Sequence, residues 1–401
     1  MRDWGMHNED EKKEAGKRYL MVAAVREGES LREVARRFRV SPATVYFWVS
    51  KAEGRRLDRV HWEGLSPGCR PAANRTPAAV EAEVIRTRKR LGKAILGECG
   101  SHAIVQDFEE RGLEVPTVRT VGRILARQGA VTWQGRRRWP SPPRGWYLPD
   151  LAAGAAELDS ADIVEGLSVG GRDFDVLNLI SFHGGLPNSW AMPNTRARTI
   201  FPCFLEHWRE VGLPRYAQFD NDLRFQGPHN HPDIFSRIVR LCLELGVTAV
   251  FAPPREMGFQ AAIEQYNGQW QKRVWGRRTY RSLKEVQVCS ARYVEALRQH
   301  RANRIESAPA RHRIPADWQC NLQHVVPGTV IFIRRTSDKG TVSLLEKTYQ
   351  VDPQWVHRLV RCEMRLHEEQ IQFFALRRRA PEEQPLLNEV HYPPPKNGFW
   401  E

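Results

Sequence analysis

Residues 216–225 read YAQFDNDLRF, a short apolar run that ends at Asp220 in a polar Asp-Asn-Asp turn. A run this short, closed by turn formers, fits a buried strand better than a helix. Downstream, Asp233 to Leu245 has helical spacing and stops at Gly246. Val247 to Ala252 is a second apolar run, stopped by Pro253-Pro254, and Gly258 to Trp275 reads as a long helix. Upstream, Thr195 to Val211 is helical and closed by Gly212. Before it come three strand-like segments, AAELDSADIV (155–164), DFDVLNLISF (173–182) and NSWAMP (188–193). The order β-β-β-α-β-α-β-α, with one more helix over 280–305, predicts an α/β mixed sheet with helices on both faces across residues 153–305.

That order is the one of the ribonuclease H-like fold, in which the first and fourth strands are neighbours. Asp159 in the first strand and Asp220 at the end of the fourth then project to one edge. In the long helix, Ile263, Tyr266, Trp270 and Val274 form an apolar stripe. Glu264 borders it, with Asn267, Gln271 and Lys272 continuing along the same side. Glu264 can point at the aspartates while those neighbours face a substrate strand. Three clustered carboxylates repel one another and call for cations. Two Mg²⁺ ions about 3.5–4 Å apart, with Mn²⁺ as a substitute, neutralise such a set and assist an in-line phosphoryl displacement.

The wording of these segments carries a resemblance. YAQFDNDLRF resembles the second-aspartate box of the retroviral-integrase-like transposases, PPREMGFQAAIEQYNGQWQKR (253–273) resembles their glutamate box, and ELDSADI (157–163) resembles the first-aspartate box. The chain, over about residues 15–380, is similar to a bacterial insertion-sequence transposase with an integrase core domain and a DDE motif. The resemblance implies that Asp159, Asp220 and Glu264 are the catalytic, metal-binding triad. It implies strand cleavage that frees a 3′-OH and transfer of that 3′-OH to target DNA. There are departures. Asp222 stands where the family has Gly, SFHGGLP (181–187) lacks the family's usual turn, and the family's shorter spacing falls on Glu256. Glu256 reads as first-turn helix charge. The inserted loop QGPHNHPD (226–233) accounts for the extra length. His229 and His231 in that loop, and His183, read as loop or packed residues rather than ligands.

The flanks read as nucleic-acid-binding. Residues 10–52 form a helix-turn-helix: Ser30 and Glu33 make a capping box, Arg39-Val40 the turn, and Ser41-Pro42 opens the second helix. That helix would meet a major groove through Ser41, Thr44 and Tyr46. Residues 52–75 are a linker. Residues 76–130 look like a second helix-turn-helix, with Arg119 and Arg123 on one face. Residues 131–152 are a basic aromatic linker, where Arg136, Arg137 and Arg138 interleave with tryptophans and can follow a DNA backbone. Residues 322–379 alternate like the strands of a small SH3-like β-barrel. Residues 380–401 look like a Pro-rich tail.

Composition agrees with this. Lys and Arg number 61 against 47 Asp and Glu, a net charge of +14, which points to a polyanionic partner. No apolar run is long enough for a membrane span, and the charged start offers no secretory signal. Seven scattered cysteines without a CxxC pair argue against a disulfide framework. The expected setting is the bacterial cytoplasm, on the nucleoid. The expected partners are double-stranded DNA (element ends and target), further copies of the chain as at least a dimer on DNA, and a helper ATPase as a candidate accessory. A DNA-binding regulator with a silent core and a structure-specific nuclease are the competing functions.

Overall fold

Ser30 and Ser41 start the two helices that define the first unit, as their caps require. The computed structural model describes residues 4–62, 76–131, 143–227, 234–256, 258–322 and 327–394, and divides into units Met1–Ala82 and Glu83–Glu401. The first unit holds α1 (Trp4–Arg26), α2 (Leu31–Phe38) and α3 (Pro42–Ala52). The Ser30 hydroxyl accepts from the Glu33 N–H, and the Glu33 carboxylate accepts from the Ser30 N–H at 3.1 Å. Those hydrogen bonds hold the Glu33 carboxyl below its usual range. Arg39 turns the chain in the left-handed region at φ 53°. The Ser41 hydroxyl then accepts from the Thr44 N–H at 3.1 Å. Val22, Val34, Val45, Trp48 and Ala52 form the core.

The second unit begins with α4 (Ala78–Lys93), within which the division falls, α5 (Ser101–Glu110) and α6 (Val118–Arg127). Val84, Ile104, Phe108, Val121, Ile124 and Leu125 are buried there. α7 (Pro149–Ala152) follows, and the segment before it is not a free linker. Trp146, Tyr147, Leu148 and Leu151 are buried against Leu158, Tyr216 and Phe259, so these aromatics serve as packing groups. Arg136, Arg137 and Arg138 lie outside the described residues, as do His229 and His231.

β1 (Leu158–Val169), β2 (Arg172–Ser181) and β3 (Pro187–Met192) form an antiparallel meander. α8 (Ala197–Val211) crosses to β4 (Tyr216–Phe219), which pairs parallel with β1. α9 (Leu223–Gln226) and α10 (Arg237–Glu244) lead to β5 (Thr248–Phe251), parallel with β4. α11 (Ala261–Arg273), α12 (Leu283–His300) and α13 (Ala302–Glu306) follow. The order β3-β2-β1-β4-β5 is the ribonuclease H-like order expected from the sequence. α8 and α10 cover one face through Phe204, Trp208, Ile238 and Leu241. α11 and α12 cover the other, with Ile263, Tyr266, Trp270 and Val274 buried as the stripe required.

The C-terminal strands are β6 (Thr329–Arg335), β7 (Thr341–Leu344), β8 (Lys347–Gln350), β9 (Leu359–Arg365), β10 (Gln370–Ala375) and β11 (Leu386–His391). In place of the expected separate barrel, β6 pairs parallel with β5 and brings β9, β10 and β11 into the same sheet; β7 and β8 pair apart as a hairpin. The reason is in β6. Val330 to Ile333 are buried without alternation, which is the mark of an interior parallel strand rather than a barrel strand with one wet face. The expected tail also supplies a strand: Leu386–His391 pairs with β10 and covers its open edge.

Candidate active site

β1 carries two aspartates three positions apart, so they face opposite sides of the sheet. Asp159 lies on the α8 face and is 1% exposed. It accepts from Arg311 at 2.5 and 3.0 Å and from the Trp208 indole N–H at 3.0 Å. Burial pushes its carboxyl up, but the Arg311 charge and these hydrogen bonds outweigh burial and leave it below its usual value. Asp159 is therefore one half of a buried ion pair. The structure does not bring it to Asp220, contrary to the sequence expectation.

Asp162 takes that position. β1 and β4 pair with Leu158 beside Tyr216 and Ser160 beside Gln218. Carried two residues further, the same register sets Asp162 level with Asp220. Burial, then the Asp162 and Asp222 charges, push the Asp220 carboxyl up to about 6. Burial also raises Asp162, with Glu264 and Asp222 adding to it. Glu264 is exposed in the first turn of α11 on this side. Asp220, Glu264 and Asp162 thus share one acidic edge. Among the described residues, no group of three His, Cys, Asp or Glu side chains stands close enough to hold a metal ion.

The surroundings orient this edge. Asn267 donates to Asp162 at 2.7 Å and accepts from Asn178 at 2.8 Å. It is thus spoken for, rather than free to meet a substrate strand. Gln271 and Lys272 remain exposed on α11. The Asp222 charge is compensated: Arg224 contacts both its carboxylate oxygens, at 2.7 and 2.6 Å, and also pairs with Glu165. Those hydrogen bonds hold Asp222 below its usual range, so it crowds the edge less than its charge suggests. Asn221 is fixed by Arg334, which donates to it at 2.8 Å.

Glu256 is not first-turn charge, because α11 begins only at Ala261. It lies in the preceding loop and pairs with Arg335 and Arg378. His183 is a packed residue: its ring contacts the Leu151 carbonyl at 3.1 Å, and its backbone N–H donates to buried Glu157. In α3, Tyr46 is 62% exposed, while the Ser41 hydroxyl is used as a cap and lies 2.8 Å from that of Thr44. Arg119 and Arg123 are exposed on α6.

Residues 17–60 match the family model of a helix-turn-helix domain. No curated protein matches the chain. Among solved structures, the catalytic core domain of BIV integrase is 17% identical, covering 35% of this chain and 83% of that one, with a TM-score of 0.28. The HTLV-2 integrase catalytic core domain in complex with magnesium is 12% identical, covering 35% and 86%, with a TM-score of 0.27. A simian T-cell lymphotropic virus intasome, in complex with a PP2A regulatory subunit, is 12% identical over 69% of this chain and 88% of that one, with a TM-score of 0.33. No helix among the described residues is long and apolar enough to cross a membrane.

Proposed function

We propose that this chain is a DNA transposase or integrase that cuts and joins strands at Asp162, Asp220 and Glu264, while its helix-turn-helix holds the DNA. The observation that carries the reading is the β1–β4 register, which carried on sets Asp162 level with Asp220 beside α11, together with the Asp162 charge felt at Asp220. Two desolvated carboxylates, Asp220 raised further by the Asp162 charge and Asp162 by that of Glu264, are a poor arrangement for a fold and a good one for divalent cations. Asp162 and Asp220 fit that role, and Glu264 joins them by a side-chain movement across the edge. Mg²⁺ bound there would supply charge neutralisation and activate the attacking and leaving oxygens of a phosphodiester. Asp162 is kept in position by Asn267, and Asp220 by the Asp222 N–H, which donates to it at 3.2 Å. Water as nucleophile gives cleavage, and a 3′-OH gives joining. Joining two DNA ends calls for at least two copies of the chain.

A regulator with a silent core is the second reading. The absence of a formed three-acid group among the described residues favours it. Asp220→Asn separates the two. A transposase loses cleavage and strand transfer and keeps DNA binding, whereas a regulator keeps its function. Labelled 3′-OH ends separate joining from cutting alone.

A further inference from the structure

A shallow groove of about 540 Å³ opens between the ends of β6, β9 and β10. Five arginines line it, Arg335, Arg358, Arg377, Arg378 and Arg379, around Trp355. The ring is fixed, because Trp355 is buried and its N–H donates to the Leu359 carbonyl at 3.1 Å. The Arg358 guanidinium lies over it at 4.7 Å and that of Arg377 at 5.6 Å. Arg378 lies 6.0 Å over Phe259. Aromatic faces hold guanidinium forks at low entropic cost, so much of this array is built before any ligand arrives.

The counter-charges are few. Arg377 pairs with Glu383 at 2.7 Å, and Arg335 and Arg378 both close on Glu256. Arg358 and Arg379 take no acid among the described residues. The Glu256 carboxylate sits between two forks as a phosphate would, since Arg matches both anions with the same geometry. A row of like charges along a groove suits a polymer with regularly spaced anions, and the chain carries a net charge of +14 and a helix-turn-helix domain. The groove also lies near the acidic edge. Arg334, the residue before Arg335, fixes Asn221 next to Asp220, and Glu256 belongs to the loop that leads into α11.

We propose that this groove binds the phosphodiester backbone of the DNA strand engaged at the acidic edge, and that Glu256 occupies its central seat until a phosphate displaces it. The path of that strand rests on the function proposed above. Binding itself does not, and is measurable without metal. The full-length chain, in EDTA, is titrated onto a duplex of about 30 base pairs over a range of salt concentrations, with fluorescence anisotropy as readout. The paired substitution Arg358→Ala/Arg379→Ala is expected to weaken binding about tenfold and to lower the salt slope by about two. Glu256→Gln is expected to tighten binding several-fold. Unchanged affinity and slope in the paired variant overturn the proposal. So does a paired variant that loses only a polyglutamate competitor, which makes the groove a seat for an acidic protein. Failure of the catalytic reading shows separately, as cleavage retained by Asp220→Asn.

Discussion

Asn267 of α11 donates a 2.7 Å hydrogen bond to Asp162 of β1. The amide is held in turn by Asn178, whose oxygen accepts from Ser189 at 2.6 Å, and Ser189 lies 2.7 Å from the Tyr266 hydroxyl. This chain of contacts sets α11 against the sheet. Glu264, three residues before Asn267, is thereby presented on the same side. Asn267→Ala is expected to lower metal-dependent cleavage about 10–100-fold, as loss of a ligand-orienting contact does. DNA affinity is expected to stay unchanged. A cleavage assay run beside a binding assay checks it, and equal losses in both contradict a positioning role.

Asp159 and Arg311 form the buried counterpart on the opposite face. Asp159→Ala leaves the guanidinium buried without its partner, and we expect a loss of about 3–5 kcal/mol. Urea denaturation at neutral pH measures it. A loss below about 1 kcal/mol, the range of exposed pairs, means that the pair is solvated.

Asp220 makes stability depend on pH in the sense opposite to Asp159. Its folded carboxyl titrates at about 6, above its unfolded value, so folding is penalised once the group ionises. Stability without metal therefore falls as pH rises from about 4 to about 6. Asp220→Asn removes the penalty. In EDTA the variant is expected to be more stable by about 3 kcal/mol at pH 7.5 and close to the parent near pH 3.5. A difference that does not vary with pH contradicts burial and repulsion as its cause.

Ser41 and Tyr46 separate folding from binding in the first unit. Ser41→Ala removes a helix cap and is expected to cost about 1 kcal/mol of stability. Tyr46→Ala changes an exposed side chain, so thermal stability should hold while affinity for specific DNA falls. Thermal melts and binding isotherms on both variants test this. A loss of specific DNA affinity from Ser41→Ala with no loss of stability contradicts its assignment as a cap.

Much of this fold was legible because its signals are local. The apolar runs ending in Asp220 and in Pro253-Pro254, and the helices closed at Gly212 and Gly246, define the five-strand order. Ser30 and Ser41 likewise announce their helices. The choice between Asp159 and Asp162 is not local. Both lie in one strand with alternate facing, and what decides is the register with β4 and the presence of Arg311, 152 residues away. The alternation of the segment, read against YAQFD, was the available signal. β6 likewise could have been read as an interior strand from its unbroken Val-Ile-Phe-Ile run, but its partner β5 is distant in sequence.

The most direct measurement is divalent-ion binding by the full-length chain. Mn²⁺ is titrated calorimetrically into the parent, Asp162→Asn and Asp159→Asn, with circular dichroism confirming that each is folded. We expect the parent to bind, Asp162→Asn to lose at least tenfold in affinity, and folded Asp159→Asn to match the parent. Retained binding in Asp162→Asn together with its loss in Asp159→Asn contradicts the assignment of the site.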